Sequence, residues 1–150
     1  MRHQQWMQQA MTAADHARAL GEVPVGAVLV HEGRVVATGW NTRETQCDPT
    51  GHAELMAMRL GGEALGRWRL TGCTLYVTLE PCPMCAPALV QARLDRVVFG
   101  AYDPKLGGAG SVFSLIERPE YPHRVEVIGG IMEAECQAQL MAFFEAKRER

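Results

Sequence analysis

Runs of β-forming residues and runs of helical period alternate along this 150-residue chain, and that alternation confines it to folds in which helices cover a sheet. VPVGAVLV at 23–30 and RVVATGW at 34–40 flank His31-Glu32-Gly33, a short glycine-containing link that predicts an antiparallel hairpin. Upstream, Trp6, Ala10, Ala13, Ala17 and Leu20 recur at three- and four-residue steps, which predicts a helix over about 4–20 stopped by Gly21. Downstream, HAELMAMRL predicts a helix from about His52 to the Gly61-Gly62 pair, CTLYVTLE a buried strand, MCAPALVQARL a second short helix and RVVFGAY another strand. SVFSLIE reads as a further helical turn or two, RVEVIGG as a strand, and MEAECQAQLMAFFEAKRER as a long amphipathic helix. The expected architecture is a layered α/β domain with helices on both faces of one sheet.

At 150 residues, with 47% apolar and 21% charged side chains, the chain has the size and balance of one globular domain, so residues 1–150 are read as a single unit. Its first ten residues are polar and no run approaches a membrane span, which points to the cytoplasm and to no membrane partner. Five cysteines form an odd set whose only close pair is Cys82 and Cys85, a metal or redox spacing that fits a reducing compartment. A formal net charge of −2 argues against broad electrostatic attraction to nucleic acid. A local basic surface is still available from Lys147, Arg148 and Arg150 at the end of the last helix and from Lys105, His123 and Arg124 in or beside loops, although the sequence alone favours reading the tail as a solvated helix end suited to the helix dipole.

The strongest chemistry lies in two short strings, His52-Ala53-Glu54 and Pro81-Cys82-Pro83-Met84-Cys85, each at the head of a predicted helix. One imidazole and two thiolates supply a borderline-soft cation with three ligands and leave a fourth tetrahedral position open, which suits catalytic zinc. Helix N-termini bring positive dipole ends that favour the thiolate form. Glu54, two residues from His52, is placed to move protons between an activated water and a substrate. A His-x-Glu alone is an ordinary helix start and a Cys-x-x-Cys alone is redox or structural, but their order and shared context set the pair apart.

These two strings resemble the signature of the cytidine/deoxycytidylate deaminase superfamily. VPVGAVLV, the stretch Asp48 to Glu54, TLYVTLEPCPMC, RVVFGAYDPK, GGAGS, HRVEV and the terminal Phe143-Phe144 with its basic neighbours are similar to the bacterial tRNA adenosine deaminases over nearly the whole chain. The resemblance implies a three-layer α/β/α domain with a central mixed sheet, one zinc per protomer, a homodimer, and hydrolytic conversion of the wobble adenosine to inosine in the anticodon stem-loop of an arginine tRNA. In that reading His52, Cys82 and Cys85 hold zinc, Glu54 is the proton shuttle, and the backbone amide of Cys82 helps to stabilise developing charge.

The same resemblance makes Asn41 a hydrogen-bonding partner of the purine and the Ala53 backbone a contact to it. Asp103 and Lys105 would meet the anticodon backbone and flanking bases, Phe144 would pack beside a flanking nucleotide, and Arg148 would hold a phosphate. Read without the resemblance, Asn41 and Asp103-Pro104 are turn residues and Phe143-Phe144 is core of the last helix. Pro87 is expected to delay or bend the helix that carries Cys85, Cys47 to be a small bystander in the loop before His52, and Cys73 and Cys136 to be buried apolar side chains. The apolar run Met84 to Val90 is too continuous for a helix covered on one side only, a further pointer to a homodimer.

Two other functions fit the zinc ligands: deamination of a free base or nucleoside such as guanine or cytosine, and a zinc-stabilised binding module without catalysis. Glu54 speaks against the second, and the Asp103-Pro104-Lys105 loop with the basic tail speaks against the first.

Overall fold

The computed structural model describes residues 2–148 and contains five strands and four helices. The helices are α1 (Arg2–Ala19), α2 (Ala53–Leu65), α3 (Cys85–Gln91) and α4 (Glu133–Arg148), and the strands are β1 (Gly26–His31), β2 (Arg34–Trp40), β3 (Cys73–Leu79), β4 (Arg96–Ala101) and β5 (Glu126–Ile128). The strands form one mixed sheet in the order β2-β1-β3-β4-β5, with β1 antiparallel to both of its neighbours and β3, β4 and β5 mutually parallel. Only β1 therefore runs against the rest, and β2, β3 and β4 all end at the same edge.

Period-two alternation divides the core into two layers. Ala27, Leu29, Leu75, Val77, Val97 and Phe99 pack with Ala53, Ala57 and Met58 of α2 and Ala86, Leu89 and Val90 of α3. The intervening Val28, Val30, Tyr76 and Val98 pack with Met7 and Ala10 of α1 and Cys136 of α4. Covered on both faces, β1 and β3 are almost wholly buried, which is why their sequences read as continuous apolar runs. The expected α/β/α sandwich around a mixed sheet is the architecture present.

The hairpin turns on two residues, Glu32 and Gly33, with φ of 51° and 73°. Positive φ at both central positions is the turn geometry that matches the right-handed twist of paired strands. Gly39 in β2 serves close packing instead. A Cβ there would lie 2.2 Å from the Ala53 carbonyl oxygen, so only glycine lets the first turn of α2 sit directly on the sheet.

Three local expectations are corrected. First, α2 does not stop at Gly61-Gly62 but continues to Leu65 and ends at Gly66, whose φ of 69° makes a left-handed cap. Gly61 is spent on packing, since a Cβ there would fall 2.2 Å from Leu29 Cδ2. Second, SVFSLIE is not helical. The amides of Val112 and Phe113 turn back to the Gly107 carbonyl, Leu115 donates to Gly108, and Ala109 pairs with Ser114 in an isolated bridge. Third, Pro87 does not delay its helix, because it is the third residue of α3, where a backbone donor has no partner within the helix. Of RVEVIGG only Glu126–Ile128 pairs as strand. Among the described residues no helix is long and apolar enough to cross a membrane.

Candidate active site

Because β2 and β3 end at one edge of the sheet, the segments that follow them bring two helix starts together there. His52 is the N-cap of α2, in extended backbone, and Cys85 is the first residue of α3, with Cys82 in the turn before it. The His52 Nδ1 atom lies 3.5 Å from Cys82 Sγ and 3.4 Å from Cys85 Sγ, and the three donor atoms all fall within 4.8 Å of one another. A tetrahedral ion with bonds of about 2.3 Å to sulfur and about 2.0–2.1 Å to nitrogen needs nitrogen–sulfur separations of about 3.5 Å. The donor set and its spacing thus fit zinc, with one tetrahedral position left for a ligand from outside the chain.

The electrostatics agree. The Cys82 thiol is pulled down to about 3, chiefly by the hydrogen bond it accepts from Cys85 and, against the cost of burial, by His52. Cys85 is pushed strongly upward by that same shared proton and by burial. His52 is raised, first by its hydrogen bond to Cys82. Two sulfurs and an imidazole forced into contact compete for protons, and a divalent cation relieves that competition for all three.

Glu54, in the first turn of α2, is only 4% exposed. Burial is the main reason its carboxyl is raised to about 7, near neutrality, where a carboxyl both accepts and returns a proton readily. With His52, Cys82, Asn41, Glu22, Val23 and Asp103 it lines a cavity of ≈ 340 Å³. Asn41 is buried, donates from Nδ2 to the Val23 carbonyl at 3.1 Å and accepts at Oδ1 from the Ala53 amide at 3.2 Å. The Ala53 amide is thereby engaged by Asn41, and Ala53 itself is fully buried beneath the cavity wall.

The remaining sequence-derived positions sit around the rim rather than inside. Asp103 lines the cavity and its Oδ1 accepts from the amides of Lys105 and Leu106, so the side chain caps the turn that carries Lys105. Lys105 is exposed and is not part of the cavity wall. Phe144 is 44% exposed and meets Phe143 edge to face at 5.4 Å, while Phe143 alone enters the core. Arg148 is exposed on α4 outside the cavity lining. Glu149 and Arg150 lie outside the described residues. Cys47 is exposed, away from the cavity wall, and Cys73 and Cys136 are buried as expected.

Sequence reasoning counted Lys147 in the basic tail but did not place it at the site, where it reaches the cavity wall with its ammonium 5.3 Å from the Phe143 ring. The step of four from Phe143 to Lys147 was the available signal, because the buried aromatic fixes which basic residue of the tail faces inward. It also missed Glu22, whose buried carboxylate accepts from the amides of Thr45 at 2.6 Å and Glu44 at 3.3 Å and ties the loop after Asn41 to the cavity. Burial opposes ionisation of Glu22, but those hydrogen bonds outweigh it and hold the carboxyl below its ordinary value.

The cytidine and deoxycytidylate deaminase zinc-binding region matches residues 1–101, from α1 to the end of β4, and so spans all three candidate donors and Glu54. The chain belongs to this family of zinc deaminases. Within it, the chain is 47% identical over 145 residues to the tRNA-specific adenosine deaminase of Bacillus subtilis, covering 97% of this chain and 90% of that protein. Among solved structures, one from work on A-to-I editing by tRNA:A34 deaminases at the wobble position of transfer RNA superposes with a TM-score of 0.86 at 43% identity, over 90% of this chain and 98% of that one. A guanine deaminase from Nitrosomonas europaea shares the fold, with a TM-score of 0.79 at 21% identity over 93% and 83% of the two chains.

Cys85→Ala is expected to remove stoichiometric zinc from the purified protein and to lower its melting temperature, since metal binding contributes to folding free energy. Metal analysis beside a thermal melt, with chelated parent as the reference, checks both. A variant that keeps one zinc per chain would show that Cys85 is not a ligand.

Proposed function

We propose that this chain is a tRNA adenosine deaminase that converts the wobble adenosine of an anticodon loop to inosine, and that residues 1–150 act as a single zinc-dependent domain. The observation that carries the reading is a buried Glu54 carboxyl beside the His52, Cys82 and Cys85 donors in a cavity rimmed by Lys147 and Asp103. Likeness to tRNA-specific adenosine deaminases over nearly the full chain supports the substrate class.

In this reading His52, Cys82 and Cys85 hold zinc, which when bound supplies the Lewis acidity that makes water a nucleophile near neutral pH. Glu54 accepts the first proton that water loses on attack at C6 of adenine and delivers it to the ring nitrogen; it then takes the remaining proton from the hydroxyl now on C6 and passes it to the amino group, so that the C6–N bond breaks and adenosine and water become inosine and ammonia. Asn41 Nδ2 keeps one proton beyond that given to Val23, a donor available to a purine acceptor, while its Oδ1 holds the Ala53 amide and so the start of α2. Cys82 would also present its backbone amide to the charge that develops on the ring.

A cavity of ≈ 340 Å³ is at the small end for ligand sites, which fits one extruded nucleoside better than a stacked pair. A single-stranded anticodon loop splays a base out at little unpairing cost, and its neighbours then need a surface to rest on. Asp103, Lys105, Phe144 and Arg148 offer that surface, with Lys147 at the entrance. An arginine tRNA is the proposed substrate, from the family resemblance, and the cytoplasm the proposed compartment, from a cysteine usage that fits a reducing environment. We also propose a homodimer. On α3, Cys85, Ala86, Leu89 and Val90 are buried, which leaves the exposed N-cap Met84 and the half-buried Pro87 as apolar surface for a second copy to cover.

Three outcomes are expected. Glu54→Ala retains zinc and fold yet loses about two to four orders of magnitude in inosine formation on tRNA transcripts; turnover within a few-fold of the parent would remove Glu54 from the mechanism. Replacing Lys105 and Arg148 together with alanine weakens tRNA binding and flattens its salt dependence, because fewer phosphate counterions are released. Faster parental turnover of free guanine or cytosine than of tRNA in the same assay overturns the substrate assignment. Sedimentation at micromolar concentration gives a dimer, and a monomer alone would refute the proposed pairing.

A further inference from the structure

Glu80 is a carboxylate the chemistry above does not use, and it is 2% exposed at the end of β3, two residues before Cys82. Its Oε1 accepts from the Asp103 amide at 3.0 Å and from the Ser111 hydroxyl, and its Oε2 accepts from the amides of Ala109 at 3.0 Å and Ser111 at 3.1 Å. A Cβ on Gly107 would lie 2.5 Å from the carboxylate carbon and from both oxygens, so the loop closes directly onto the charged group. The Gly108 amide donates to the Pro81 carbonyl at 2.7 Å, which fastens the same loop to the segment leading into Cys82.

We propose that Glu80 is a positioning residue that sets the RNA-facing turn 103–106 in register with the metal centre, a role that rests on the tRNA deaminase reading above. Residues 103–111 contain no strand or helix, and their one isolated bridge pairs Ala109 with Ser114, so little of this loop's backbone is held by the sheet. The buried carboxylate supplies what the sheet does not: one rigid group at the strand end collects donors from both ends of the loop. Asp103 then hands on the order, its own Oδ1 capping the amides of Lys105 and Leu106. Glu80 thus acts on substrate through Asp103, Lys105 and Leu106 and not on the reacting atoms.

The donor pattern tells Glu80→Gln apart from a general weakening. On the Oε2 side both partners are backbone amides, which cannot accept, so the new NH2 must face the Oε1 side. There the Ser111 hydroxyl can reverse its role, but the Asp103 amide meets another donor and loses its bond. The substitution therefore frees the Asp103 end of the loop and leaves the Ala109–Ser111 end attached.

The test compares E80Q, S111A, D103A and the E80Q/D103A double variant with the parent, all zinc-loaded, on an anticodon stem-loop RNA. For E80Q we expect KM to rise about 10-fold with kcat within about two-fold and zinc retained, the pattern of lost binding rather than lost chemistry. The double variant should be no worse than the more affected single variant, since both act through one turn. Equal loss of kcat and kcat/KM in E80Q, or fully additive effects, would overturn the proposal. Should E80Q not fold, S111A decides: a smaller rise in KM supports the role and an unchanged KM refutes it. Hydrogen exchange reads the loop without substrate. Faster exchange of the Asp103 amide in E80Q, with Ala109 and Ser111 still protected, supports the anchoring even if the parent does not turn over RNA, in which case the tRNA reading alone fails; unchanged exchange at Asp103 overturns it.

Discussion

An imidazole and two thiols separated by about thirty residues of chain meet only if two helices start at the same edge of one sheet. That requirement organises the molecule. Parallel runs of β2 and β3, with β1 reversed between them, bring both strand ends to one edge and so place His52 at the cap of α2 beside Cys85 at the head of α3. Gly39 then sets the depth, because the first turn of α2 rests on the strand where a side chain would otherwise stand. The His52 nitrogen comes within 3.4–3.5 Å of both sulfurs across that edge.

Around that centre, carboxylates do three different jobs set by their surroundings. Glu54 is buried beside the donors and raised to about 7, suited to moving protons. Glu22 is buried but hydrogen-bonded by loop amides, and holds the segment after Asn41. Glu80 gathers the opposite loop. Two irregular walls of the cavity are thus fastened to the regular frame by buried acceptors, which suits loops that must keep a fixed shape yet carry exposed groups for a ligand.

The hairpin, the four helices and the strand sequence were legible because each rests on near-neighbour chemistry: runs of β-forming residues for β1 to β4, three- and four-residue spacing for α1 and α4, and glycine at a turn that needs positive φ. Sequence and structure part where a distant contact overrides the local rule. Gly61 looks like a stop, yet the Leu29 side chain needs its missing Cβ and the helix runs on to Gly66. SVFSLIE has the apolar content of a helical turn, but its neighbours Gly107 and Gly108 capture the amides that a helix would use.

For the candidate site, residue type and order in His52-Ala53-Glu54 and Pro81 to Cys85 already specified the ligand chemistry and the need for an open coordination position, since metal preference and proton transfer are properties of the side chains themselves. The sequence also carried the family likeness and, with it, the substrate class. Only the tertiary structure decided that Lys147 and not Arg148 reaches the cavity wall, that the Ala53 amide is taken by Asn41, and that Glu22 and Glu80 hold the walls in place. The contacts of Asn41, Glu22 and Glu80 join atoms across gaps of 12 to 31 residues, and such meetings follow from strand order and helix depth, which no local pattern encodes.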